Sequence, residues 1–515
     1  MSESAIPYRF DGAVPISSVA EDPAALALEA GASLGRVVTV AGRVLRLRTQ
    51  GKLCFAELRD WTGAIQLFAD TATTADFEGL THRALGDWVG ATGEVVRTRR
   101  GELSVRVTHW TLLARARQGF GDKWRGVHDV DVRLRQREVD LWANEGVRDR
   151  FLLRSRAVSG MRRLLDLRGF VEVETPVLQA QASGGHAKPF RTHFNALHAD
   201  FTLRIATELH LKRLLVGGFE RVYEIGRIFR NEGLSPRHNP EFTTLEVYQA
   251  YADYTDMMGL TEHLVSSLAQ ELRGSTTLSY GGRALELAAP WRRATLEELV
   301  AEETGVELSL AMGRAELARR AAALDVPVAD GDGPGKVLLE IYEKTTEPQL
   351  WGPVHVLDYP KEVSPLARDH RSRPGYVERF ESVVAGRELA NAFSELADPD
   401  EQRGRLEVQA AARAAGDEEA MALDEEFLRA LEHGMPPTGG LGLGVDRLVM
   451  LLADEANIRE VILFPALRPL AGGDPGDPGA EPDEPAAADL PAAADLPDGA
   501  DLPAGAAQAD GPGGG

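Results

Sequence analysis

The sequence predicts an α+β protein: a small five-stranded β-barrel near the N-terminus, followed by a large mixed antiparallel sheet flanked by helices. Residues 36–117 contain five short runs in which apolar and polar residues alternate, with a helical connector at 74–84. After residue 147, strands and helices follow one another without the β-α-β alternation of a parallel sheet. The length of 515 residues also exceeds what one hydrophobic core supports, so at least two domains are expected.

The five runs of the N-terminal part lie at 37–44, 53–58, 64–68, 88–95 and 103–107. Five strands and one helix fit a closed barrel of the oligonucleotide-binding (OB) type, although barrel shape alone gives no function. Between Arg36 and Arg117 there are 13 Lys and Arg against 8 Asp and Glu, although the whole chain has a net charge of −22. Because salt screens charges beyond about 10 Å, this positive part can still attract a phosphate backbone.

The other boundaries follow from composition. We expect a leader at 1–35, a linker at 118–146, a large domain at 147–470 and a tail at 471–515. The tail holds ten acidic residues, has no Lys or Arg and repeats Ala-Asp-Leu-Pro, so we predict that it is disordered. An acidic interaction tail is the alternative.

Composition also limits the compartment. No apolar run reaches the roughly 18–20 residues that a membrane span needs, and the N-terminus lacks the basic start and apolar stretch of a secretory signal. The single cysteine, Cys54, excludes an internal disulfide and a cysteine metal cluster. These observations predict a cytoplasmic protein with no membrane partner.

Two alternating runs, 221–225 and 243–248, predict an antiparallel hairpin. The polar segment between them carries Arg230, Glu232, His238 and Phe242. An arginine can bind a phosphate bidentately, a glutamate can accept a hydrogen bond from an exocyclic amine, and an aromatic ring can stack on a base. The hairpin is therefore predicted to be a nucleotide site that needs no glycine-rich phosphate loop.

Two further segments accompany the hairpin. Residues 440–444 alternate Gly and Leu, which leaves one face of a strand bare, and the helical run that follows carries Arg447 in its first turn. Residues 152–167 predict a basic amphipathic helix, and residues 168–176 predict a strand that ends at Pro176. In order and spacing, these three segments resemble motifs one, two and three of the class II aminoacyl-tRNA synthetases.

Four shorter runs, at 184–190, 203–209, 362–368 and 379–395, narrow the resemblance to the bacterial-type lysyl-tRNA synthetases of class IIb. The resemblance covers roughly residues 36–470. It implies an enzyme that activates lysine with ATP, releases pyrophosphate and transfers lysine to the 3' end of its tRNA. It also implies a homodimer formed through motif one, with lysine tRNA, ATP and L-lysine as partners.

The resemblance gives each nucleotide residue a role. Arg230 would bind the α-phosphate, and Arg447 would cover the other adenine face or the γ-phosphate; these are the expected catalytic residues. Glu232 would accept from the adenine amine, Phe242 would stack on the base and His238 would touch the phosphates. No general base is needed because the lysine carboxylate is already an anion, so catalysis is positioning and charge neutralisation.

The expected cofactor is Mg²⁺, held by Glu381 and Glu388. Their spacing of seven residues indicates two adjacent strands rather than one. Carboxylates with few protein partners suit a magnesium ion that keeps water and bridges phosphates.

Recognition of lysine needs negative charge around a buried ammonium group. By resemblance, seven residues would form the pocket: Glu208 for the α-amino group, Glu246, Tyr248 and Glu395 for the ε-ammonium, Asn391 and Phe393 for the wall, and Gly185 through its backbone. Two glutamates and a phenol around one cation discriminate against apolar amino acids by charge.

In the barrel, Phe55, Gln66 and Glu102 match positions where related synthetases bind anticodon bases. Arg48, which we expect in the loop before the Phe55 strand, would meet a phosphate or a base. An unpaired base stacks well on Phe, and a carboxylate can accept from uracil N3–H. A role for Phe55 in the barrel core is the alternative.

The chain departs from the family pattern at three places. The loop at 184–190 is one residue shorter, Thr207 stands for a proline and Ala397 for an asparagine. These differences bear on lysine binding rather than on phosphate chemistry. A divergent paralogue with a regulatory or protein-lysylating role stays open as the alternative function, although the protein-lysylating relatives lack the barrel.

Overall fold

The N-terminal part of the protein is a closed five-stranded barrel, as the sequence predicts. A computed structural model describes residues 6–118, 127–182, 184–417 and 419–469. The elements of this part are α1 (Ser17–Ala20), α2 (Pro23–Leu26), β1 (Ser33–Gln50), β2 (Leu53–Arg59), β3 (Ala64–Asp70), α3 (Phe77–Thr81), β4 (Trp88–Arg97) and β5 (Leu103–Ala114). The strands are paired in the order β1-β2-β3-β5-β4.

Buried and partly exposed residues alternate along the barrel strands, and the buried ones form the barrel core. On β2, Cys54, Ala56 and Leu58 are buried while the residues between them are partly exposed. The leader contributes to the same core, because Ile16 and Val19 pack inside it. A register shift near the middle of β1 lets this long strand pair with both β2 and β4.

Three helices connect the barrel to the large sheet: α4 (Val130–Arg135), α5 (Arg137–Ala143) and α6 (Val147–Asp166). The Arg43 guanidinium of the barrel lies 4.9 Å from the Trp88 ring centroid and 4.6 Å from that of Trp142 on α5. Arg148 of α6 lies 5.4 Å from the Trp61 ring and donates to the Asp60 carbonyl. These cation–π contacts hold the barrel against the helices.

The rest of the chain builds the larger sheet and its helices. Its strands are β6 (Val171–Glu172), β7 (Leu178–Gln179), β8 (Arg191–Phe194), β9 (Ala199–Leu203), β10 (Arg221–Phe229), β11 (Glu241–Ala250), β12 (Thr277–Tyr280), β13 (Arg283–Glu286), β14 (Arg292–Thr295), β15 (Val354–Leu357), β16 (Arg379–Val384), β17 (Arg387–Ser394) and β18 (Thr438–Gly444). Its helices are α7 (Glu208–Val216), α8 (Tyr254–Arg273), α9 (Leu296–Thr304), α10 (Gly313–Ala323), α11 (Pro334–Thr345), α12 (Pro399–Ala414), α13 (Glu425–Leu431) and α14 (Val445–Ala453).

The main sheet has eight strands in the order β14-β15-β16-β17-β18-β11-β10-β6. Its central pairs are antiparallel, and the pairs at both ends, β14 with β15 and β6 with β10, are parallel. The predicted mixed sheet is confirmed. The hairpin is confirmed too, because β10 and β11 pair residue by residue from Arg221 with Gln249 to Phe229 with Glu241.

Helices α6, α8 and α14 cover one face of the sheet and form the largest core with it. Helix α8 begins at a capping box, in which the side chains of Asp253 and Asp256 accept from each other's backbone amides, and ends at Gly274 with φ of 75°. Helices α9 to α11 pack into a second core beside β15 and β16. These three helices therefore extend the protein at the β14–β15 edge of the sheet.

Within the described ranges, no helix is both long and apolar enough to cross a membrane. The predicted tail at 471–515 lies outside the described residues, as does part of the predicted linker. The domain limits drawn from the sequence stay predictions.

Candidate active site

One buried carboxylate joins the hairpin, the long helix and the glycine-rich segment. Asp446, in the first turn of α14, accepts from the Thr243 amide of β11 at 2.6 Å and pairs with Arg154 of α6 at 2.5 Å. Arg154 also donates to the Thr243 hydroxyl at 3.1 Å. Three segments far apart in the chain are thereby fixed by one satisfied network, which is the kind that specifies a rigid site.

A cavity of about 490 Å³ opens over the central strands. Its lining includes β18, where a Cβ added to Gly442 would meet nothing closer than the Asn391 carbonyl oxygen at 3.8 Å. The structure brings to this cavity every residue predicted for ATP, lysine or metal: Gly185, Glu208, Arg230, Glu232, His238, Phe242, Glu246, Tyr248, Glu381, Glu388, Asn391, Phe393, Glu395 and Arg447. Their individual roles stay predictions.

Two guanidinium groups give the cavity positive charge. Arg230, just after β10, lies 5.3 Å from the ring of Phe242 at the start of β11. Arg447 donates to the carboxylate of Glu388 at 2.9 Å and to its carbonyl at 2.6 Å. Half-buried guanidiniums beside an aromatic face suit a ligand that carries both phosphates and a base.

The loop of the hairpin carries the exposed residues Glu232 and His238. The Nδ1 of His238 lies 3.0 Å from the Ser235 hydroxyl. Partial burial and the nearby guanidinium of Arg447 lower the pKa of His238, so its ring is neutral at neutral pH. Arg237 of the same loop also lines the cavity, a position that the sequence reasoning did not assign.

Glu381 and Glu388 lie on the adjacent strands β16 and β17, as their spacing predicts. Burial raises the pKa of Glu381 to about 7, although Arg379 pairs with it at 2.5 Å. Burial alone would also raise the pKa of Glu388, but the guanidiniums of Arg447, Arg379 and Arg230 together outweigh it, so its pKa is lowered. Among the described residues, no group of three or more acidic, His or Cys side chains could hold a metal ion.

Carboxylates surround the opposite, deeper end of the cavity. Glu246, Tyr248 and Glu395 are all buried, and the Tyr248 hydroxyl donates to Glu246 at 3.3 Å. Within the described ranges, Glu395 Oε1 accepts no hydrogen bond. A Cβ at Gly440 would lie 1.9 Å from this oxygen, so glycine is required beneath it. A buried acceptor without a donor indicates a place for a cationic ligand.

Sequence reasoning missed Lys212, whose side chain is fully buried at this end. Its ammonium lies 2.6 Å from Glu208 and contacts Glu395. It also missed Arg379, which donates to Asn391 at 3.0 Å as well as to Glu381, and so joins the predicted pocket wall to the carboxylate pair.

Two departures from the family pattern border the cavity. Gly184 and Gly185 line it, and Gly184 adopts φ of 85°. The backbone amide of Thr207 donates to Glu246 at 3.2 Å. A proline at this position, as the resemblance leads one to expect, would lack that donor. Threonine in place of proline at this position therefore adds a hydrogen bond to the buried carboxylate of Glu246.

On the barrel, two of the candidate residues and a third residue, Phe68, form a row across neighbouring strands. Arg48 pairs with Phe55, and Phe55 with Phe68, whose rings stack with centroids 5.3 Å apart. Arg48 lies in strand β1, 5.5 Å from the Phe55 ring, so the expected loop position was wrong; β1 extends to Gln50. Phe55 is half-buried on the outer face rather than in the core, and Phe68 was missed.

Gln66 and Glu102 lie beside this row. Gln66 donates from Nε2 to the Ser104 hydroxyl at 2.8 Å, and Glu102 is exposed just before β5. An outward aromatic pair with a guanidinium and free polar groups is the arrangement that stacks on unpaired bases.

Comparison with known proteins agrees with this geometry. Residues 129–468 match the family of class II tRNA synthetases (D, K and N), and residues 38–113 match the OB-fold nucleic acid binding domain. A lysine–tRNA ligase of Synechococcus sp. (strain CC9311) is 54% identical over 468 residues, covering 90% of this chain and 95% of its own length. Another, from Synechococcus sp. (strain RCC307), is 56% identical over 436 residues, covering 84% and 87%.

The sheet, the barrel and the cavity together define the protein as a class II tRNA synthetase. At this identity over nearly all of its relatives' length, the chain belongs to the lysine–tRNA ligases.

Proposed function

We propose that the protein joins lysine to tRNA in two steps within this cavity. The observation that carries the proposal is one cavity lined by Arg230 and Arg447 at one end and by Glu208 with the buried Glu246 and Glu395 at the other. In the first step, the lysine carboxylate attacks the α-phosphorus of ATP, and the bond to the β-phosphate breaks to release pyrophosphate. In the second, a terminal hydroxyl of tRNA attacks the lysyl carbonyl carbon and AMP leaves.

Arg230 and Arg447 neutralise charge on the phosphates, and Phe242 supports the adenine ring. Charge on the α-phosphate increases as its fifth oxygen bond forms, so a fixed guanidinium there binds the transition state more strongly than ATP. The network of Asp446, Arg154 and Thr243 keeps both arginine-bearing segments in place. Such positioning is most of what phosphoryl chemistry requires of a protein.

Glu381 and Glu388 would hold Mg²⁺. Two oxygen-donor carboxylates fit this ion, which keeps several waters and takes its other ligands from phosphates. When bound, Mg²⁺ supplies charge neutralisation on the phosphates of ATP. Arg379 and Arg447, each paired with one of the glutamates, orient the carboxylates beforehand.

Glu208 would bind the α-ammonium of lysine, while Glu246, Tyr248 and Glu395 would bind the ε-ammonium. An amino acid with an uncharged side chain would bind unfavourably in this pocket, because the buried carboxylates of Glu246 and Glu395 would stay without a counter-charge. Asn391 and Phe393 form the wall beside them.

Lysine binding is expected to weaken below about pH 7. Burial, together with the charge of Glu208, raises the pKa of Glu246 to about 7. Below that pH this carboxyl takes up a proton and loses its attraction for an ammonium group. The KM for lysine in ATP–pyrophosphate exchange should then rise by up to about tenfold per pH unit. A KM that stays flat from pH 6 to 8 would contradict this assignment.

Matched variants at position 207 sharpen the experiment. Thr207→Pro removes the amide donor to Glu246 and should move the inflection of KM to higher pH, whereas Thr207→Ser keeps both the amide and the hydroxyl and should not. Glu246→Gln should raise KM but remove its pH dependence in this range.

The barrel would read the anticodon with Arg48, Phe55, Gln66 and Glu102. Phe55→Ala should leave lysine-dependent ATP–pyrophosphate exchange unchanged and weaken tRNA binding by roughly 1–3 kcal/mol, the value of one base stack. Charging of lysine tRNA at limiting tRNA measures the loss. Val37→Ala, which truncates an exposed apolar side chain of β1 outside the row, is the control. Unchanged charging in Phe55→Ala would remove the barrel from the reading role.

The homodimer would form along α6 and β6. Strand β6 is the edge of the main sheet, and Leu167 and Val171 beside it are 75% and 48% exposed. Apolar side chains on an unpaired edge favour association. Sedimentation of the full chain tests this, and a monomer would exclude it. The cytoplasmic location stays a prediction.

Exchange of labelled pyrophosphate into ATP, with lysine as the only amino acid, tests the whole proposal. Exchange together with lysylation of tRNA supports it. Exchange without lysylation of any tRNA would favour the protein-lysylating or regulatory paralogue, and no exchange at all would contradict lysine activation.

A further inference from the structure

A fully buried cation lies behind two of the glutamates that line the cavity. Lys212, in the second turn of α7, is fully buried, and its ammonium lies between two carboxylates that come from distant parts of the chain. Glu208, one helical turn earlier, is 2.6 Å away, and Glu395, just after β17, is in direct contact. Aromatic rings close the remaining space: Phe393 at 5.4 Å and Phe427 at 5.9 Å from Nζ.

We propose that Lys212 is a positioning residue for substrate lysine: its ammonium links Glu208 to Glu395 and holds both carboxylates where the two ammonium groups of lysine bind. The inference rests on the proposed function, in which Glu208 receives the α-ammonium and Glu395 the ε-ammonium. It adds a residue that touches neither group of the substrate but fixes the partners of both.

Charge balance gives the reason for an internal cation. The charged groups at this end are Glu208, Glu246, Glu395 and Lys212, with the Tyr248 phenol beside them. With all of them ionised, the pocket carries two net negative charges, which match the two ammonium groups of lysine. Without Lys212 it would carry three, and one glutamate would keep a proton in the buried site.

The electrostatics of the pocket agree with this role. Burial alone would lower the pKa of Lys212, but Glu208 and Glu395 outweigh it, so the ammonium stays charged. Burial and the charges of Glu208 and Glu246 raise the pKa of Glu395 even with Lys212 beside it. Removing Lys212 takes away the cation that opposes protonation of Glu395. Lysine would then have to displace an additional proton on binding.

The test is steady-state ATP–pyrophosphate exchange by full-length Lys212→Met, which replaces the ammonium with an uncharged side chain of similar length. We expect the KM for lysine to rise at least about tenfold, while kcat and the KM for ATP change less than about threefold. We also expect log KM for lysine to fall more steeply with rising pH than in the unsubstituted protein, because one more proton is released.

A merely structural role predicts a different pattern. It would lower the melting temperature and disturb kcat and both KM values together, with an unchanged pH slope, and that result would overturn the proposal. An unchanged KM for lysine in a folded variant would overturn it as well. Lys212→Gln, which keeps a hydrogen-bond donor, is the second variant. If neither neutral variant folds, the ammonium is required for folding instead, and the proposal fails.

The two proposals can fail separately. Glu395→Gln and Glu208→Gln report on the lysine pocket itself. If these variants raise the KM for lysine and Lys212→Met does not, only the role of Lys212 is wrong. If they too leave it unchanged, lysine binds elsewhere and the proposed pocket is wrong.

Discussion

Replacing Arg230 with alanine is expected to lower lysine-dependent ATP–pyrophosphate exchange at least about 10²-fold, with the fold intact. The half-buried guanidinium donates to the Ile205 carbonyl at 3.4 Å and lies 5.3 Å from the Phe242 ring, and among the described residues it pairs with no carboxylate, so its charge is available to a phosphate. Its loss removes a charge contact that is stronger in the transition state than in the ground state, and the usual effect on kcat is 10²–10³-fold. The KM for ATP should change less than kcat.

Arg227→Ala is the matched control. Arg227 lies on β10, three residues before Arg230, but its side chain is 45% exposed outside the cavity and pairs only loosely with Glu241, at 3.6 Å. Its loss should leave exchange and melting temperature close to those of the unsubstituted protein. Near-normal exchange in Arg230→Ala would remove the nucleotide role from this hairpin. An equal loss in both variants would indicate damage to β10 rather than to the site.

Much of this architecture could be predicted because it follows from local patterns. Period-two alternation located all five barrel strands and the hairpin, and the glycine alternation at 440–444 located β18. The pattern did less well at strand ends. Arg48 was expected in a loop because the first predicted run ended at residue 44, but pairing with β2 extends β1 through Gln50. Tertiary pairing decides where a strand stops.

Phe68 could have been found. It stands two residues after Gln66 on the same strand, so alternation places both side chains on the same outer face. With Gln66 already a candidate, an aromatic residue on that face was a readable signal. The sequence does not show that Phe68 lies opposite Phe55, because that contact depends on the register between β2 and β3.

Lys212 shows the opposite case. Glu208 and Lys212 are spaced as an i, i+4 pair, which on most helices is a solvent-exposed pair of little energetic consequence. Nothing in the local sequence indicates that this face of α7 is buried against Glu395, which lies 183 residues further along the chain. The contact depends on the packing of α7 on β11 and α13, and such packing is visible only in the folded structure.

Replacing Glu395 with glutamine is expected to raise the KM for lysine by about 10²–10³-fold while the KM for ATP stays nearly constant. The two side chains have the same size, so the change removes only the charge, and breaking a buried ion pair costs about 3–5 kcal/mol. Glu395 is 1% exposed, and within the described ranges its Oε1 accepts no hydrogen bond, so this oxygen is the one left to pair with a ligand ammonium. The ratio of kcat/KM for lysine to that for uncharged norleucine should decrease for the same reason.

Glu262→Gln is the matched control, because Glu262 is also buried, lies on α8 away from the cavity and contacts His355 at 3.2 Å. This substitution should affect the melting temperature and leave the KM for lysine unchanged. Loss of both lysine binding and ATP binding in Glu395→Gln would mean that the residue supports the sheet rather than the ammonium. A KM for lysine that is unchanged in Glu395→Gln would mean that the ε-ammonium of lysine does not bind at Glu395, and Lys212 would then be the only cation that this carboxylate meets among the described residues.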